Sequence, residues 1–175
     1  KELAMIEQED FHTPRWTVGV IAKATGGNVH TIRNWIQKGL ITGPHNNPEV
    51  RAIGIPTLFT TNAALQIAVM VAMNQDGISA EFASKAGTKF AHTGHGPSEH
   101  LDGASRSVGG VYADPYTWLV ACPSTARIEI VRSKDLEAAI HRAGGPYVSQ
   151  VCVLNLDFIH GSIPSRLFAA NGMRG

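Results

Sequence analysis

The sequence is poor in features that mark several classes of protein. Its 175 residues include only two cysteines, Cys122 and Cys152, too few for a disulfide-stapled scaffold or a cysteine metal knot. The longest apolar stretch, around 63–73, contains Gln66 and falls short of the ~18 residues that span a bilayer. Residues 1–15 are polar, so we expect no signal peptide there. Together these absences predict a cytoplasmic protein.

Charge is also scarce, with 17% charged residues and a net charge of +1, which excludes a histone-like basic coat. The 43% hydrophobic content suffices for a buried core and excludes a wholly disordered chain. Charge is unevenly spread, because the segment from Phe11 to Phe59 holds five cations against the single acid Glu49, or +4. The cations are Arg15, Lys23, Arg33, Lys38 and Arg51. This segment indicates a polyanionic partner, with a merely solvated face as the alternative.

Motifs of the common enzyme classes are missing. The chain has no P-loop, no Gly-x-Ser-x-Gly and no His-Glu-x-x-His, so we expect neither enzyme activity nor a cofactor. The spacing of His92, His95 and His100 is compatible with zinc ligands. No cysteine is near and the segment is Gly-rich, so we favour a solvated loop without metal and leave zinc as an open alternative.

Two short helices joined by a tight turn are predicted before residue 39. Thr17 can N-cap the first helix, 17–25, and Gly26-Gly27 ends it. Asn28 can N-cap the second, Val29–Lys38, whose apolar stripe is Val29, Ile32, Trp35 and Ile36. The opposite face carries His30, Thr31, Arg33, Asn34, Gln37 and Lys38. Apolar anchoring behind and polar donors in front are typical of a helix that enters the DNA major groove.

Two more helices are predicted beyond a turn-rich segment. Residues 42–56 are rich in Gly, Pro and Asn and are compatible with a β-hairpin wing that carries Arg51. Thr60-Thr61-Asn62 can cap a helix that reaches Gln75, and Ser79 can cap another that reaches Phe90.

Five segments between Trp16 and Phe90 occur in an order known from one protein family. They are Trp16–Gly26, Asn28–Trp35, Lys38–Ile41, Phe59-Thr60 and Asp76–Ser79. In this order they resemble the opening helix, recognition helix, wing entry, third-helix entry and fourth-helix turn of MerR-type winged helix-turn-helix proteins. The resemblance implies a DNA-binding winged helix over 16–92 that follows a polar tail, 1–15.

The resemblance also implies a function: sequence-specific binding of double-stranded DNA by a transcriptional regulator whose helix 28–38 enters the major groove. The residues that match DNA-facing positions are Thr17, His30, Thr31, Arg33, Asn34 and Lys38, with Arg51 a looser match in the wing. Arg33 suits guanine and Asn34 suits adenine, as judged from their hydrogen-bonding groups. Lys23, Lys38 and Arg51 are expected on phosphates, which position a protein without reading sequence.

The chain departs from the family after the fourth helix. The long dimerisation helix is not expected, because Gly87, Gly94, Gly96 and Pro97 interrupt it. Related winged helices also serve in phage DNA excision and packaging. A phage accessory protein therefore stays open, as does a protein-interaction module that acts through the C-terminal half.

The C-terminal half is predicted to be a separate small α+β unit, 111–175, after a Gly-rich linker, 93–110. The expected order is β-β-α-β-α. The elements are strands 116–122 and 127–132, a helix from Ser133 or Asp135 to His141, a strand Tyr147–Phe158 and a short helix Pro164–Ala170. A unit of about 65 residues is near the lower limit for an independent core. We therefore expect it to support homodimerisation, an effector or a protein partner.

Overall fold

The computed structural model describes residues 11–43, 57–96, 103–113, 115–145 and 150–172. In these ranges the fold is α+β, with six α-helices and a three-stranded antiparallel sheet. The elements are α1 Val18–Thr25, α2 Val29–Gln37, α3 Thr61–Gln75, α4 Ala80–Ala91, β1 Thr117–Cys122, β2 Arg127–Arg132, α5 Leu136–Gly144, β3 Cys152–Asn155 and α6 Leu156–Ala170. The four N-terminal helices and the C-terminal order β-β-α-β-α are confirmed.

The predicted N-caps set the starts of the first four helices. In each case a side-chain oxygen accepts from a backbone amide in the first turn, which has no partner inside the helix. The capping residues are Thr17, Asn28, Thr60 and Ser79. The described part of the chain contains no helix long and apolar enough to cross a bilayer.

Helix α3 is the centre of the fold. Twelve of its 15 residues are buried, so it is surrounded on nearly all sides, and α1, α4 and α6 pack against it. Just before α3, Phe59 pairs with Trp16 in an isolated antiparallel bridge. The Trp16 indole Nε1 donates to Thr61 Oγ1 at 3.0 Å, which ties the entry of α1 to the first turn of α3.

The sheet has the order β2-β1-β3, with β1 antiparallel to both neighbours. Side chains alternate along β1, so Leu119 and Ala121 face the N-terminal helices and α6, whereas Val120 and Cys122 face α5. The central strand is therefore buried on both faces. One hydrophobic core runs from α1 and α3 through α6 to this sheet, so the two halves of the chain share it.

The predicted strand 147–158 and the short last helix are wrong in their bounds. Strand β3 ends at Asn155, whose side chain accepts from the Phe158 amide at 3.1 Å and starts α6. Helix α6 therefore begins eight residues before Pro164 and contains that proline. Residues 146–149 lie outside the described part of the chain.

The physical reason for this error is a mixed pattern. The β-branched and apolar residues of 151–158 favour a strand, but the buried side chains after Asn155 recur with the helical period. They are Leu156, Ile159, Ile163 and Leu167. Packing of this stripe against α1 and α3 outweighs the local strand preference, and Phe158, expected in the strand, is 65% exposed on α6.

Candidate nucleic-acid interface

The turn between α1 and α2 is pressed against α3. Gly26 ends α1 in the left-handed conformation with φ +72°, which glycine adopts without strain. A Cβ on Gly27 would lie 2.8 Å from Val71 Cγ2 and 3.1 Å from Ile32 Cδ1. Both glycines of the predicted turn are therefore required, one for its backbone angle and the other for its close approach to α3.

Helix α2 separates its side chains by face. Ile32 and Trp35 are buried, and Val29 and Ile36 are half-buried against the core. The solvent side carries a stripe at positions i, i+3, i+4 and i+7, which spans about 100° of the helix. The stripe consists of His30, Arg33, Asn34 and Gln37, all of them exposed. We call these four residues the α2 stripe.

The other predicted DNA-facing residues lie around this stripe or outside the described part of the chain. Lys38 is exposed at the C-cap of α2, and Lys23 is exposed in the last turn of α1. Thr31 is half-buried at the edge of the stripe. The half-buried Thr17 hydroxyl accepts from the Val20 amide at 3.4 Å, so its main role is to cap α1. Arg51 and the wing, 44–56, lie outside the described residues.

The segment 11–43, which contains the α2 stripe, is positively charged. Residues 11–43 contain no aspartate or glutamate, and neither α1 nor α2 has an acid in its first turn. The amide ends of both helices therefore keep their partial positive charge, which attracts anions. The surface can offer hydrogen-bond donors to a polyanion without a carboxylate of its own segment to repel it.

Gln37 belongs to the stripe but was not predicted as a DNA-facing residue. Its place on the polar face was expected, and the structure aligns it with His30, Arg33 and Asn34. The spacing i+7 from His30 was the available signal. Its side-chain amide offers two donors and an acceptor at the C-terminal end of the α2 stripe.

The exit of α2 is held by a buried side chain that the sequence did not single out. Gln66 Nε2 donates to Leu40 O at 2.9 Å and to Thr88 Oγ1 at 3.0 Å. Gln66 Oε1 accepts from the Thr42 amide at 2.9 Å. Its side chain thus joins the segment after α2 to α3 and α4. This link and the buried side chains Ile32 and Trp35 hold α2 on the core.

The histidine segment does not form a metal site in the described residues. His92 Nε2 lies 3.2 Å from Gln66 Oε1, and the His95 backbone pairs with Arg106. His100 lies outside the described residues. Within the described ranges no three His, Cys, Asp or Glu residues are grouped to hold a metal ion.

The two cysteines lie on neighbouring strands but on opposite faces of the sheet. Ala121 of β1 stands opposite Cys152 of β3, so the next residue, Cys122, points to the other face. Cys152 belongs to the main core, Cys122 packs with α5, and both thiols are free and buried. The register therefore separates them, although their strands are adjacent.

Comparison with known proteins adds no family: no protein-family model matches the chain, and no curated protein matches it significantly. The function proposed below is therefore inferred from the geometry of α2 and from the expected resemblance of 16–92 to winged helix-turn-helix proteins.

Proposed function

We propose that the protein binds double-stranded DNA sequence-specifically, as a transcriptional regulator that inserts α2 into the major groove. The observation that carries the proposal is the α2 stripe, with Ile32 and Trp35 anchored on the opposite face. An α-helix fits the major groove, and there side chains reach base edges that differ between all four base pairs.

Three of the four side chains of the stripe read bases in this proposal, and His30 adds a ring nitrogen at the N-terminal end of the stripe. The Arg33 guanidinium can donate to both acceptors on the guanine edge. Asn34 and Gln37 carry amides that can both donate to and accept from adenine. Lys38 and Lys23, at the edges of the same face, contact phosphates and set the register of the protein on the duplex. Thr17 and Thr31 add hydroxyl donors beside them.

Three further features belong to the same proposal. We include Arg51, which lies outside the described residues, as a contact to the DNA backbone. A homodimer, formed through the C-terminal half, presents two copies of α2 to two half-sites. The protein acts in the cytoplasm, where two buried thiols stay reduced.

Fluorescence anisotropy with mixed-sequence duplex DNA, over a series of salt concentrations, tests the proposal. Wild type should show a negative slope of log K against log salt, because bound phosphates release counterions. The variant Arg33→Ala/Lys38→Ala should bind more weakly, with a slope shallower by about one for each phosphate that it no longer neutralises. The matched control is Lys134→Ala/Arg166→Ala, which removes two exposed charges from the C-terminal half and should leave both values unchanged.

The same experiment separates the alternatives by class. Equal, weak and salt-insensitive binding by wild type and the α2 variant would contradict the proposal and favour a protein-interaction module. If the salt slope is present, selection of a site from random duplexes tests specificity. A phage excision or packaging role would share the α2 interaction with DNA, and an accompanying recombinase or large packaging ATPase would distinguish it.

A further inference from the structure

A cleft that shares no residue with the α2 stripe is lined with cations. Its volume is about 430 Å³, which is in the range of small-molecule sites. It lies where α4 and the segments around His95 and Arg106 meet β2 and α5. Its ionisable lining side chains, histidine apart, are Lys89, Arg106, Tyr112, Glu129 and Arg142. Three cations against one carboxylate give these lining residues a net charge of +2.

Arg106 is the most unusual of these residues, since its side chain is charged and only 5% exposed. Its two Nη atoms donate to five backbone carbonyls. Among the described residues no carboxylate lies within ion-pair distance of it, and Nε has no hydrogen-bond partner. Carbonyls satisfy donors but do not neutralise the charge. Among the described residues Arg106 is therefore a buried positive charge without a carboxylate partner, and it lies beside the cleft.

The other cations retain donors for a ligand. Arg142 binds Glu129 through Nε and Nη2, the latter at 2.6 Å, while its Nη1 makes no hydrogen bond within the described residues. Lys89 Nζ donates to Ile128 O at 2.5 Å, which occupies one of its three hydrogens. The Tyr112 hydroxyl is protonated at neutral pH and can donate, and burial raises its pKa further above the ordinary value of 10.0.

We propose that this cleft binds a small dianionic molecule of the phosphate-monoester class, with Lys89 and Arg142 as hydrogen-bond donors and Arg106 as the buried counter-charge. The net charge of +2 matches a phosphate dianion, and guanidinium groups are strong phosphate ligands. The ligand would join α4 to β2 and α5. The cleft and the α2 stripe share no residue, so phosphate binding can be measured without DNA.

The test is a titration of the full chain with inorganic phosphate at constant ionic strength. Amide chemical shifts measured by NMR report the binding. Saturable shifts should appear at Thr93, Gly94 and Ile130. Lys89→Gln and Arg142→Gln should each weaken phosphate binding about tenfold or more, as expected for a charge-assisted hydrogen bond. Lys85→Gln, which removes an exposed lysine from the same helix, should bind phosphate like wild type. Acetate, a monoanion, should bind clearly more weakly than phosphate.

Three outcomes would overturn the proposal. The first is a lack of saturation by phosphate in the millimolar range. The second is equal weakening in Lys85→Gln and Lys89→Gln, which would indicate general surface charge. The third is a loss of duplex DNA binding in Arg142→Gln with no change in phosphate affinity, which would make the cleft a second nucleic-acid surface. The exposed Arg142 and Lys89 can be replaced without disturbing the Arg106 side-chain hydrogen bonds, and circular dichroism checks the folding of each variant.

Discussion

The carbonyl of Leu40, two residues after the C-cap of α2, accepts a 2.9 Å hydrogen bond from Gln66 Nε2 in the middle of α3. Gln66 is fully buried, and Ser84 of α4 donates to the same carbonyl. A polar side chain is placed in the core because the chain leaving α2 has backbone groups that no secondary structure satisfies.

The first prediction concerns this link. Gln66→Leu should lower the free energy of unfolding by about 2–4 kcal/mol, because it leaves the Leu40 carbonyl and the Thr42 amide without this partner. Urea denaturation measures the decrease. Gln75→Leu, the same replacement at an exposed position of α3, should change stability by less than about 0.5 kcal/mol. Similar decreases for both variants would contradict a specific role for Gln66.

The second prediction concerns the close approach of α3 and α4. A Cβ on Gly87 would lie 2.8 Å from the backbone oxygen of Gln66, so Gly87→Ala should destabilise by about 1–3 kcal/mol despite the better helix propensity of alanine. Gly161→Ala, inside α6 with nothing within 4 Å of the added Cβ, should stabilise by about 0.5–1 kcal/mol. Thermal unfolding of the two variants should therefore shift in opposite directions. Stabilisation by both would show that the helices can separate freely.

The third prediction concerns the start of α2. Asn28 accepts from the amides of His30 at 2.8 Å and Thr31 at 3.3 Å. Asn28→Ala should cost about 1 kcal/mol of stability, because these two amides lose their cap. Asn34→Ala, an exposed change in the middle of α2, should have little effect on stability and, under the proposed function, a larger effect on DNA affinity. Denaturation measures the stability of both variants, and anisotropy measures their DNA affinity. If Asn34→Ala lowers stability more than DNA affinity, Asn34 does not belong to the DNA interface.

The fourth prediction concerns pH. Burial, with a further contribution from Asp76, raises the pKa of the Cys152 thiol to about 11 from an ordinary value of 9.0. Between pH 9 and about 11 the folded state therefore keeps the thiol proton, whereas the unfolded state loses it. The contribution of this thiol to the free energy of unfolding is complete below pH 9 and is lost as the pH rises to about 11. Cys152→Ala should flatten this fall in the unfolding free energy. Cys122→Ala should retain this fall. If the unfolding free energy of both variants falls equally steeply between pH 9 and 11, the fall does not come from the Cys152 thiol.

Local signals predicted most of the helices, since capping depends on neighbouring residues. Thr17, Asn28, Thr60 and Ser79 each cap the helix expected of them, because a side chain and an amide two or three positions away settle that geometry. The strand Arg127–Arg132 also has its predicted bounds. The α2 stripe follows from the helical period, which places Gln37 on the same face as His30, Arg33 and Asn34.

Long-range packing could not be predicted in this way. The predicted helix from Ser79 to Phe90 contains Gly87, but only the structure shows that this glycine allows α4 to approach α3 closely. Arg106 was expected in a linker, whereas its side chain is buried beside a charged cleft. It donates there to backbone carbonyls that include those of Lys89 and Gly110. Apart from Ser107, the partners of these residues are 4 to 21 positions away along the chain, and no local period points to them.

Residue types at short, regular spacing were enough to predict the helix starts, the polar face of α2 and the positive charge around it. Three other features depend instead on how distant segments pack. They are the end of the last strand, the hydrogen bonds of Gln66 to the segment after α2, and the opposite orientation of Cys122 and Cys152. The physical reason is that burial of one shared core outweighs local preference where the two conflict. The stripe Leu156–Leu167 is helical because α1 and α3 cover it.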